Sequence, residues 1–423
     1  MTETQFRVKR PGVFALVGLL LVLAACSAIR GDGGQKGESD WLDPIATSTL
    51  SLSKQDVGAT LIPASVGGET LSATDVAKAT LLPSLPAATA TPTPADASLG
   101  YGMQIHGCGY PVEPALDLLA AAGFDWVKQQ VRWEEIEPEY GLPQWDCIDQ
   151  VVDGAEARGL HVLLSVTTSP AWSRPWQERG RPEVLALLGE FCLRMVERYR
   201  GRVDAVEVFN EPNLDREWGG RLDPLAYAGL LEWTYYAIRQ ADPDVIVISA
   251  GLAPTQWNDW ATAVDDREYL RQMADAGAGR FADCIGVHFN HGTSSPLEPG
   301  GEFERQMLDY YTAFDRQLPL CLTEFGFATP DRTGGRLPPG FEWAATTSAE
   351  EQAQWLVDGF EWAGDHPEVI RLVVVWNLNY HADDADDPNV PYALWSPKGL
   401  MPAYSALRDM DKPAAKDGGD GTD

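Results

Sequence analysis

Eight short apolar segments alternate with amphipathic stretches between residues 99 and 410, and this alternation predicts an α/β fold, the (β/α)8 or TIM barrel. Eight strands with intervening helices in roughly 310 residues match the usual count and length of that barrel. The predicted strands are 102–106, 126–133, 161–167, 205–210, 245–250, 284–290, 320–324 and 372–377. The clearest helical patterns fall at 182–199, 225–240 and 348–363.

A doubly wound parallel sheet is the alternative fold for such a pattern. That fold needs a glycine-rich phosphate-binding turn directly after the first strand. The first strand of this chain instead reads Gly102-Met103-Gln104-Ile105-His106-Gly107, which holds no such turn. The sequence therefore favours the barrel, in which functional residues gather at the carboxyl ends of the strands.

The N-terminus resembles a bacterial lipoprotein signal. Three basic residues precede an apolar stretch at positions 13–25, which is short for a membrane span. The stretch ends in Leu23-Ala24-Ala25-Cys26, the pattern of a lipobox. Cleavage of residues 1–25 would leave Cys26 to carry lipid and to hold the protein at the extracytoplasmic face of the cell membrane. An uncleaved signal anchor or an ordinary secretory signal is the alternative.

Two further segments have compositions that do not support a folded core. Residues 26–98 are rich in Ser, Thr, Ala, Pro and Gly and are predicted to form a disordered tether. Residues 411–423 are rich in Asp, Gly and Lys and are predicted to be a frayed acidic tail. These bounds leave residues 99–410 as the barrel domain.

The charge of the chain limits its partners. The 423 residues carry a net charge of −30, with a pI near 4.4. A surface that negative repels nucleic acid, so nucleic-acid binding is excluded. Fifteen Trp residues offer platforms for the apolar faces of sugar rings, although most are expected to lie in the core. No residue spacing indicates a zinc site or another cofactor, and we expect a monomer.

Five cysteines remain once Cys26 is set aside. Cys108 and Cys147 fall in loops near the first two strands and are the predicted disulfide pair. Cys284 and Cys321 lie inside strand patterns and are predicted to be buried thiols. An odd number leaves at least one cysteine unpaired within the chain.

Two strand segments end in a glutamate followed by a turn residue. They are Val206-Glu207-Val208-Phe209-Asn210-Glu211-Pro212-Asn213 and Leu320-Cys321-Leu322-Thr323-Glu324-Phe325-Gly326. A parallel barrel would bring Glu211 and Glu324 to the same rim. A pair of carboxyl groups, one protonated and one ionised, is what glycoside hydrolysis needs. Because strict alternation would point Asn210 and Glu211 to opposite sides, the strand must end or bulge there.

Other polar and aromatic residues follow the predicted strands at the same rim. They are Arg132, Trp172, Asn210, His288 and Trp376. Each has a structural alternative, namely a surface arginine, tryptophans packed under loops, or a histidine bonded within the core. Their joint occurrence favours a substrate site, because stability does not require polar groups at that face. A nearby Arg132 would keep one glutamate ionised, and the Asn210 amide could bind a sugar hydroxyl.

At these residues the chain resembles the clan A glycoside hydrolases, families 5 and 39 among them. The resemblance covers about residues 99–409 and implies that Glu211 is the acid/base and Glu324 the nucleophile of a retaining mechanism. It also implies that Arg132, His288 and Trp376 hold the reacting sugar. We expect burial and the charge of Glu324 to raise the pKa of Glu211.

Two other acidic groups have a structural interpretation. Glu207 lies deeper in the same strand than Glu211, so a buried ion pair is expected there. An acidic loop follows the eighth strand and could bind calcium, but a solvated loop is the favoured interpretation. Its members are Asp383, Asp384, Asp386 and Asp387.

The resulting hypothesis is a retaining glycosidase, EC 3.2.1.-, that cleaves O-glycosidic bonds of extracellular poly- or oligosaccharides. We expect these bonds to be β-linked, and we expect the reaction to need no cofactor or metal. A non-catalytic carbohydrate-binding surface lipoprotein is the alternative from another class. A transglycosylase on the same scaffold is the third possibility, since it shares the first half of the reaction.

Overall fold

The computed structural model describes residues 65–66, 69–70, 99–382, 384–396 and 398–412. Its main element is the predicted barrel, one sheet of eight parallel strands surrounded by helices. All eight predicted strands are present and differ from the prediction only at their ends. They are β1 (Gly100–Ile105), β2 (Trp126–Arg132), β3 (His161–Thr167), β4 (Ala205–Val208), β5 (Ile246–Ser249), β6 (Ile285–Phe289), β7 (Leu320–Phe325) and β8 (Ile370–Val375).

One long helix follows each strand. These helices are α1 (Val112–Ala121), α2 (Asp146–Glu156), α3 (Ala186–Arg198), α4 (Pro224–Ala241), α5 (Asp266–Asp275), α6 (Glu302–Ala313), α7 (Ala349–Asp365) and α8 (Pro402–Asp409). Local sequence sets several of their starts. Asp223 accepts hydrogen bonds from the first turn of α4, and Ser348 forms a capping box with Glu351 at the start of α7.

Shorter elements occupy the loops. Two four-residue helices, Trp133–Ile136 and Asp215–Trp218, follow β2 and β4. Two-residue strands pair Ser65–Val66 with Glu69–Thr70 and Trp395–Ser396 with Gly399–Leu400. The 3-10 turns are Ala171–Ser173, Ala278–Phe281, Pro330–Thr333, Glu342–Ala344 and Val390–Tyr392.

The strands pair in chain order around the barrel. Every neighbouring pair from β1 to β5 and from β6 to β8 is parallel, and β8 pairs with β1. A parallel bridge between Ile248 on β5 and Cys284, just before β6, completes the circle. The carboxyl ends of all eight strands therefore meet at one rim.

Two separate apolar clusters support this rim. The larger one lies between the barrel and its helices, where Val127, Val131 and Val206 pack with helix residues. The smaller one fills the barrel near the strand starts, with Leu163, Cys321 and Leu372 among its members. Because strand side chains alternate between these two clusters, the inward positions beyond the smaller cluster are free to carry polar groups.

The cysteines give one confirmed pair and one correction. Cys108 and Cys147 form the predicted disulfide. Cys284 and Cys321, predicted to be thiols, form a second disulfide. That prediction was wrong because parallel pairing aligns Ile285 with Leu320 and so brings the starts of β6 and β7 together. Cys192 is the free, buried cysteine of the described residues.

Several predictions fall outside the described part of the chain. The signal at 1–25, Cys26, Asp383 and most of the segments 26–98 and 411–423 belong to this group. Within the acidic loop, Asp384 and Asp386 are exposed, as expected for a solvated loop, and Asp386 pairs with Arg336 at 3.0 Å. Among the described residues, no helix combines the length and apolar character that crossing a membrane requires.

Candidate active site

Glu211 reaches the barrel interior because β4 stops short of the predicted end. The strand ends at Val208, and the backbone is left-handed at Phe209 (φ 74°) and Glu211 (φ 39°). These two positions break the alternation, so Asn210 and Glu211 both line the cleft at the rim. The predicted relaxation of the strand before Pro212 is confirmed. The Glu211 amide is fixed by donating to the Gly251 carbonyl oxygen at 3.1 Å.

Glu324 reaches the same place through an irregularity in β7. Leu322 aligns with Val287, but Glu324 aligns with His288, so one residue of β7, Thr323, is extra in the pairing. A bulge of this kind lets two successive side chains face the same side. The Thr323 hydroxyl and the Glu324 carboxyl consequently both point into the barrel, where Thr323 donates to Glu207 at 2.6 Å.

The two predicted catalytic glutamates lie together in a cleft of about 850 Å³. An oxygen of Glu211 and an oxygen of Glu324 come within 4.8 Å of each other. Both side chains are nearly inaccessible to solvent except through this cleft. Asn290 on the loop after β6 donates to Glu324 at 3.2 Å and orients it.

His288 lies beneath both glutamates and links them. Its Nδ1 is 3.1 Å from Glu211 and 3.4 Å from Glu324, and its Nε2 is 3.6 Å from Glu207. Gly251 leaves room for the ring, since a Cβ there would lie 2.1 Å from His288 Cδ2. Because His288 has no exposed surface and contacts both glutamates, its geometry is that of a residue that positions them, and its contact with a sugar stays a prediction.

Beneath His288 lies a buried ion pair. Lys128 Nζ is 2.9 Å from Glu207 and 3.8 Å from Glu324, and all three side chains are buried. Lys128 also donates to the Thr323 carbonyl oxygen at 3.0 Å. The ion pair predicted for Glu207 is confirmed, and Lys128 is the partner that sequence analysis did not identify.

The sequence profile of the cellulase family, glycosyl hydrolase family 5, matches residues 89–381. The chain belongs to this family. The prediction that the protein is a glycosidase, EC 3.2.1.-, is confirmed by this match, and so is its resemblance to the clan A glycoside hydrolases.

Two curated relatives are similar to part of the chain. Endo-1,4-beta-xylanase B of Paenibacillus barcinonensis is 25% identical over 205 residues, and its counterpart in Thermotoga neapolitana is 26% identical over 206. Each match covers 45% of this chain, and the chain spans 58% and 57% of the length of these xylanases.

Two solved structures share the barrel. A family 39 glycoside hydrolase from Bacteroides cellulosilyticus WH2 superposes with a TM-score of 0.56 at 20% identity, covering 74% of this chain and 63% of that one. An endo-beta-1,4-glucanase from Xanthomonas axonopodis pv. citri gives 0.54 at 15% identity, covering 73% and 98%. At such identities the likeness shows the fold.

The charges in this family 5 site set the protonation of its groups. Burial disfavours charge on His288, but Glu324, Glu207 and Glu211 outweigh it and raise the His288 pKa to about 10, so the ring is an imidazolium. Burial likewise opposes ionisation of Glu207, yet Lys128 and His288 hold the Glu207 pKa well below its usual range. These groups stay charged across neutral pH.

The pKa values of the two catalytic glutamates shift in other directions than predicted. Burial alone would raise the pKa of Glu211, but hydrogen bonds and charges from His288 and Arg216 lower it. Burial raises the pKa of Glu324, against His288 and Lys128, and the charge of Glu211 adds to the rise. The expected raised pKa of Glu211 was therefore wrong, because the sequence did not show that His288, and then Arg216, contact this carboxyl.

Arg132 and Trp172 do not take the predicted positions around the glutamates. Arg132 lines the cleft, but it is 46% exposed and pairs with Glu134 and Glu135 at 2.7 and 2.6 Å. The ion pair predicted between Arg132 and a catalytic glutamate is absent from the described residues, and Lys128 supplies that cation. Trp172 is outside the cleft, where its indole donates to the Glu137 carbonyl oxygen at 2.9 Å.

The remaining predicted residues do line the cleft. Trp376 and Asn210 face it, and the Asn210 amide oxygen has no hydrogen-bond partner among the described residues. Sequence analysis missed the cleft residues Tyr110, Arg216, Glu217, Asn290, Phe341, Tyr380 and Tyr392. Most of them lie on long loops that carry no periodic pattern, although Arg216 and Glu217 follow Glu211 closely enough to have been suspected.

One group of described residues has the donor atoms of a metal site. Atoms of Glu211, His288 and Glu324 lie within 4.8 Å of one another. A histidine ligand must be neutral, however, whereas the surrounding carboxylates keep His288 protonated. The donor set therefore fits proton transfer better than it fits a cation.

Proposed function

We propose that this family 5 protein is a retaining glycosidase that hydrolyses β-linked O-glycosidic bonds of extracellular poly- or oligosaccharides. The observation that carries the proposal is the approach of Glu211 and Glu324 to within 4.8 Å. Retaining enzymes hold their carboxyl groups about 5–5.5 Å apart, whereas inverting enzymes need about 6.5–9.5 Å to admit a water molecule. An approach this close supports the retaining geometry.

In the first step, a carboxylate oxygen of Glu324 bonds to the anomeric carbon as the glycosidic C–O bond breaks. The proton of Glu211 passes to the leaving oxygen. Lys128, His288 and Asn290 hold Glu324 in place for this attack. The amide oxygen of Asn210 is available to a sugar hydroxyl, since it has no other partner among the described residues.

In the second step, Glu211 removes a proton from water, and the water oxygen bonds to the anomeric carbon as Glu324 leaves. The change of role is possible because ester formation removes the negative charge of Glu324. His288 remains hydrogen-bonded to Glu211 and favours its ionised form. Two displacements at one carbon retain its configuration.

The substrate class rests on the cleft and on the relatives. Aromatic side chains line one part of the cleft and offer platforms for sugar rings. They are Tyr110, Phe341, Trp376, Tyr380 and Tyr392. The relatives named above include two xylanases and a β-1,4-glucanase, which favours a β-linked glycan backbone.

The test is a screen of purified protein against xylan, carboxymethyl cellulose and other β-glycans, followed by a proton NMR time course on an active substrate. We expect the β-anomer to appear first in the product. The variant Glu211→Gln, which keeps the side-chain shape, controls for contaminating activity. Inverted product would contradict the proposal. Products longer than the substrate would indicate a transglycosylase, and binding without release of sugar would indicate a carbohydrate-binding protein.

The nucleophile is tested separately by trapping. An activated 2-deoxy-2-fluoro glycoside should label Glu324, because the fluorine slows both steps while the activated leaving group keeps formation of the intermediate faster than its hydrolysis. Mass spectrometry of the digested protein identifies the labelled peptide. Glu324→Ala should abolish labelling, whereas label on Glu207 or Glu211 would overturn the assignment.

We also propose that the protein is a lipoprotein, anchored through Cys26 at the extracytoplasmic face of the cell membrane. The support is the sequence Leu23-Ala24-Ala25-Cys26 after a short apolar stretch. A tether at residues 26–98 would hold the barrel away from the lipid surface.

A further inference from the structure

Arg216 and Glu217 occupy the part of the cleft next to Glu211. They belong to the four-residue helix Asp215–Trp218 and both line the cleft. The Arg216 side chain is 64% exposed, whereas Glu217 is only 22% exposed. The site described so far assigns neither residue a role.

The backbone that carries this pair is fixed. Asn213 donates to the carbonyl oxygens of Ala253 and Val264 at 2.8 and 2.9 Å and accepts from the Ala253 amide at 3.0 Å. Leu214 bridges to Ala263. Of the pair, the long and exposed Arg216 side chain therefore has the most freedom to move.

The contacts of Glu211 conflict with its role as an acid. Its Oε1 accepts from His288 at 3.1 Å, and its Oε2 accepts from Arg216 at 3.1 Å. Both cations only donate, so both contacts stabilise the ionised carboxylate and oppose protonation of Glu211. His288 is enclosed by the barrel. Arg216 is the contact whose displacement would favour the protonated acid.

Glu217 is the acceptor within reach of Arg216. Its Oε1 is 3.8 Å from Arg216 Nε. Burial and the charge of Glu211 raise the pKa of Glu217 to about 7, against Arg216 and Asn210. If Arg216 moves to Glu217, Glu217 ionises and Glu211 becomes free to take a proton. The total charge of the cleft is then unchanged.

We propose that Arg216 is a positioning residue that pairs with Glu211, as in this structure, and moves to Glu217 when the leaving-group part of a glycan enters. The inference rests on the proposed function, because it assigns Glu211 the acid role. The leaving group lies on the Glu211 side of the bond, where Arg216 and Glu217 lie, so its entry displaces the guanidinium. Only a filled cleft then has its acid in the protonated form.

The ionisable groups that surround Glu211 come from several elements. They are Lys128 on β2, Glu207 on β4, His288 on β6, Glu324 on β7, Tyr392 in the 3-10 turn after β8, and Arg216 and Glu217 on the short helix. The background variant Glu324→Gln removes the second titrating carboxyl of the catalytic pair and keeps the shape of the site.

The decisive measurement is a carbon-13 NMR titration of the Glu211 carboxyl in protein labelled at Glu Cδ, with Glu324→Gln as background. Adding Arg216→Ala should raise the Glu211 pKa by about one unit, because an adjacent opposite charge lowers a carboxyl pKa by roughly 1–3 units. Arg179→Ala is the matched control, since Arg179 is 62% exposed and pairs with Asp215 on the same helix. It should leave the titration unchanged.

Kinetics with an active glycan give the second measurement. The alkaline limb of kcat/KM reports the acid in the free enzyme, and Arg216→Ala should move that limb to higher pH. The alkaline limb of kcat reports the filled cleft and should move less. Glu217→Gln should move the kcat/KM limb to lower pH, and this shift should shrink in the Arg216→Ala background.

Two results would overturn the proposal. One is a Glu211 titration that is the same with and without Arg216. The other is an equal shift of the kcat and kcat/KM limbs, which a purely structural role would give. If the wild-type protein releases sugar from no glycan, the proposed function fails, while the NMR titration, which needs no substrate, still decides whether Arg216 pairs with Glu211.

Discussion

Glu211 and Glu324 share one imidazolium, His288, but differ in their second cation. Glu324 lies 3.8 Å from the buried Lys128, and Glu211 lies 3.1 Å from the exposed Arg216. The first contact is enclosed and permanent, whereas the second can be displaced. The electrostatic environment of the nucleophile Glu324 therefore stays constant. The acid/base Glu211 is the group whose protonation state can change during turnover.

Removal of the acid/base should affect poor leaving groups most. We expect Glu211→Ala to lower kcat/KM by about 10²- to 10⁴-fold for unactivated glycosides, which need protonation, and far less for activated aryl glycosides. Azide should restore turnover and form a β-glycosyl azide, because the anion needs no general base. Steady-state kinetics and NMR of the product test this. Glu324→Ala with azide is the control, and a β-azide from that variant would contradict the assignment.

Breaking the buried ion pair should destabilise the protein strongly. Lys128→Met leaves the Glu207 carboxylate without its main partner, and loss of one member of a buried pair costs about 3–5 kcal/mol. Denaturant unfolding at neutral pH measures the loss. Adding Glu207→Gln should recover part of it. Arg271→Ala, which removes exposed pairs within a helix, is the control and should be nearly neutral.

The sequence located Glu211 and Glu324 but not the charges that act on them. Both glutamates end visible strand patterns, so the barrel rule places them at one rim. Lys128 sits inside a strand, where its partner depends on which residues face it across the barrel. Glu207 could be recognised as a buried acid, but its partner required three-dimensional register.

At the scale of elements, the site depends on two departures from regular strand geometry. The left-handed backbone at Phe209 and Glu211 ends β4, and the extra residue Thr323 bulges β7. The first departure could be predicted, since Asn210 and Glu211 would otherwise face opposite ways. The bulge could not, because Leu320–Phe325 contains no glycine or proline that would mark an irregularity, and the extra residue shows only in its pairing with β6.

Register also explains the incorrect prediction for Cys284 and Cys321. Their strand patterns are apolar, which favoured buried thiols. The pairing of β6 with β7 cannot be read from either strand alone, and it is this pairing that places the two cysteines side by side.

Substitution of Gly251 tests how tightly β5 and β6 fix the His288 imidazolium. In Gly251→Ala the new Cβ would lie 2.1 Å from His288 Cδ2, so the ring must shift away from the glutamates. We expect a loss of about 1–3 kcal/mol in unfolding free energy and a marked fall in kcat. Thermal denaturation and kinetics measure both.

Gly364→Ala is the matched control for that change. Gly364 lies in α7, and a Cβ there meets nothing within 4 Å. This variant should be neutral or slightly stabilising, since alanine favours the helix. A Gly251→Ala protein with wild-type kcat would show that His288 need not keep its place.

For the molecule as a whole, the count of strand and helix patterns was enough to predict the barrel. Eight alternating strand and helix patterns, together with the lack of a phosphate-binding turn after the first strand, favoured the barrel over the doubly wound sheet. The parallel eight-stranded sheet confirms this prediction. The conformations of the loops could not be predicted, because the loop segments that carry the cleft residues Tyr380, Tyr392 and Phe341 have no periodic pattern. The lipid anchor stays a prediction.

The proposed anchor can be tested on the full chain. Wild-type protein expressed in a bacterial host with lipoprotein processing should partition into the detergent phase, because its acyl chains bury in the micelle. Cys26→Ser should move it to the aqueous phase. Cys192→Ser, at the buried free cysteine, is the control and should keep the wild-type distribution. Wild-type protein in the aqueous phase after export would refute the lipoprotein hypothesis.

The polar layer beneath the cleft contains three carboxyl groups, Glu207, Glu211 and Glu324, and two cations, Lys128 and His288. The layer is electrically neutral only when it also holds one proton. In the proposed mechanism, the proton departs with the leaving group in the same step that turns one carboxylate into an uncharged ester. Two carboxylates then balance two cations. The interior of the barrel thus carries no net charge before or after glycosyl transfer, and the reaction avoids the penalty for charging a medium of low dielectric constant.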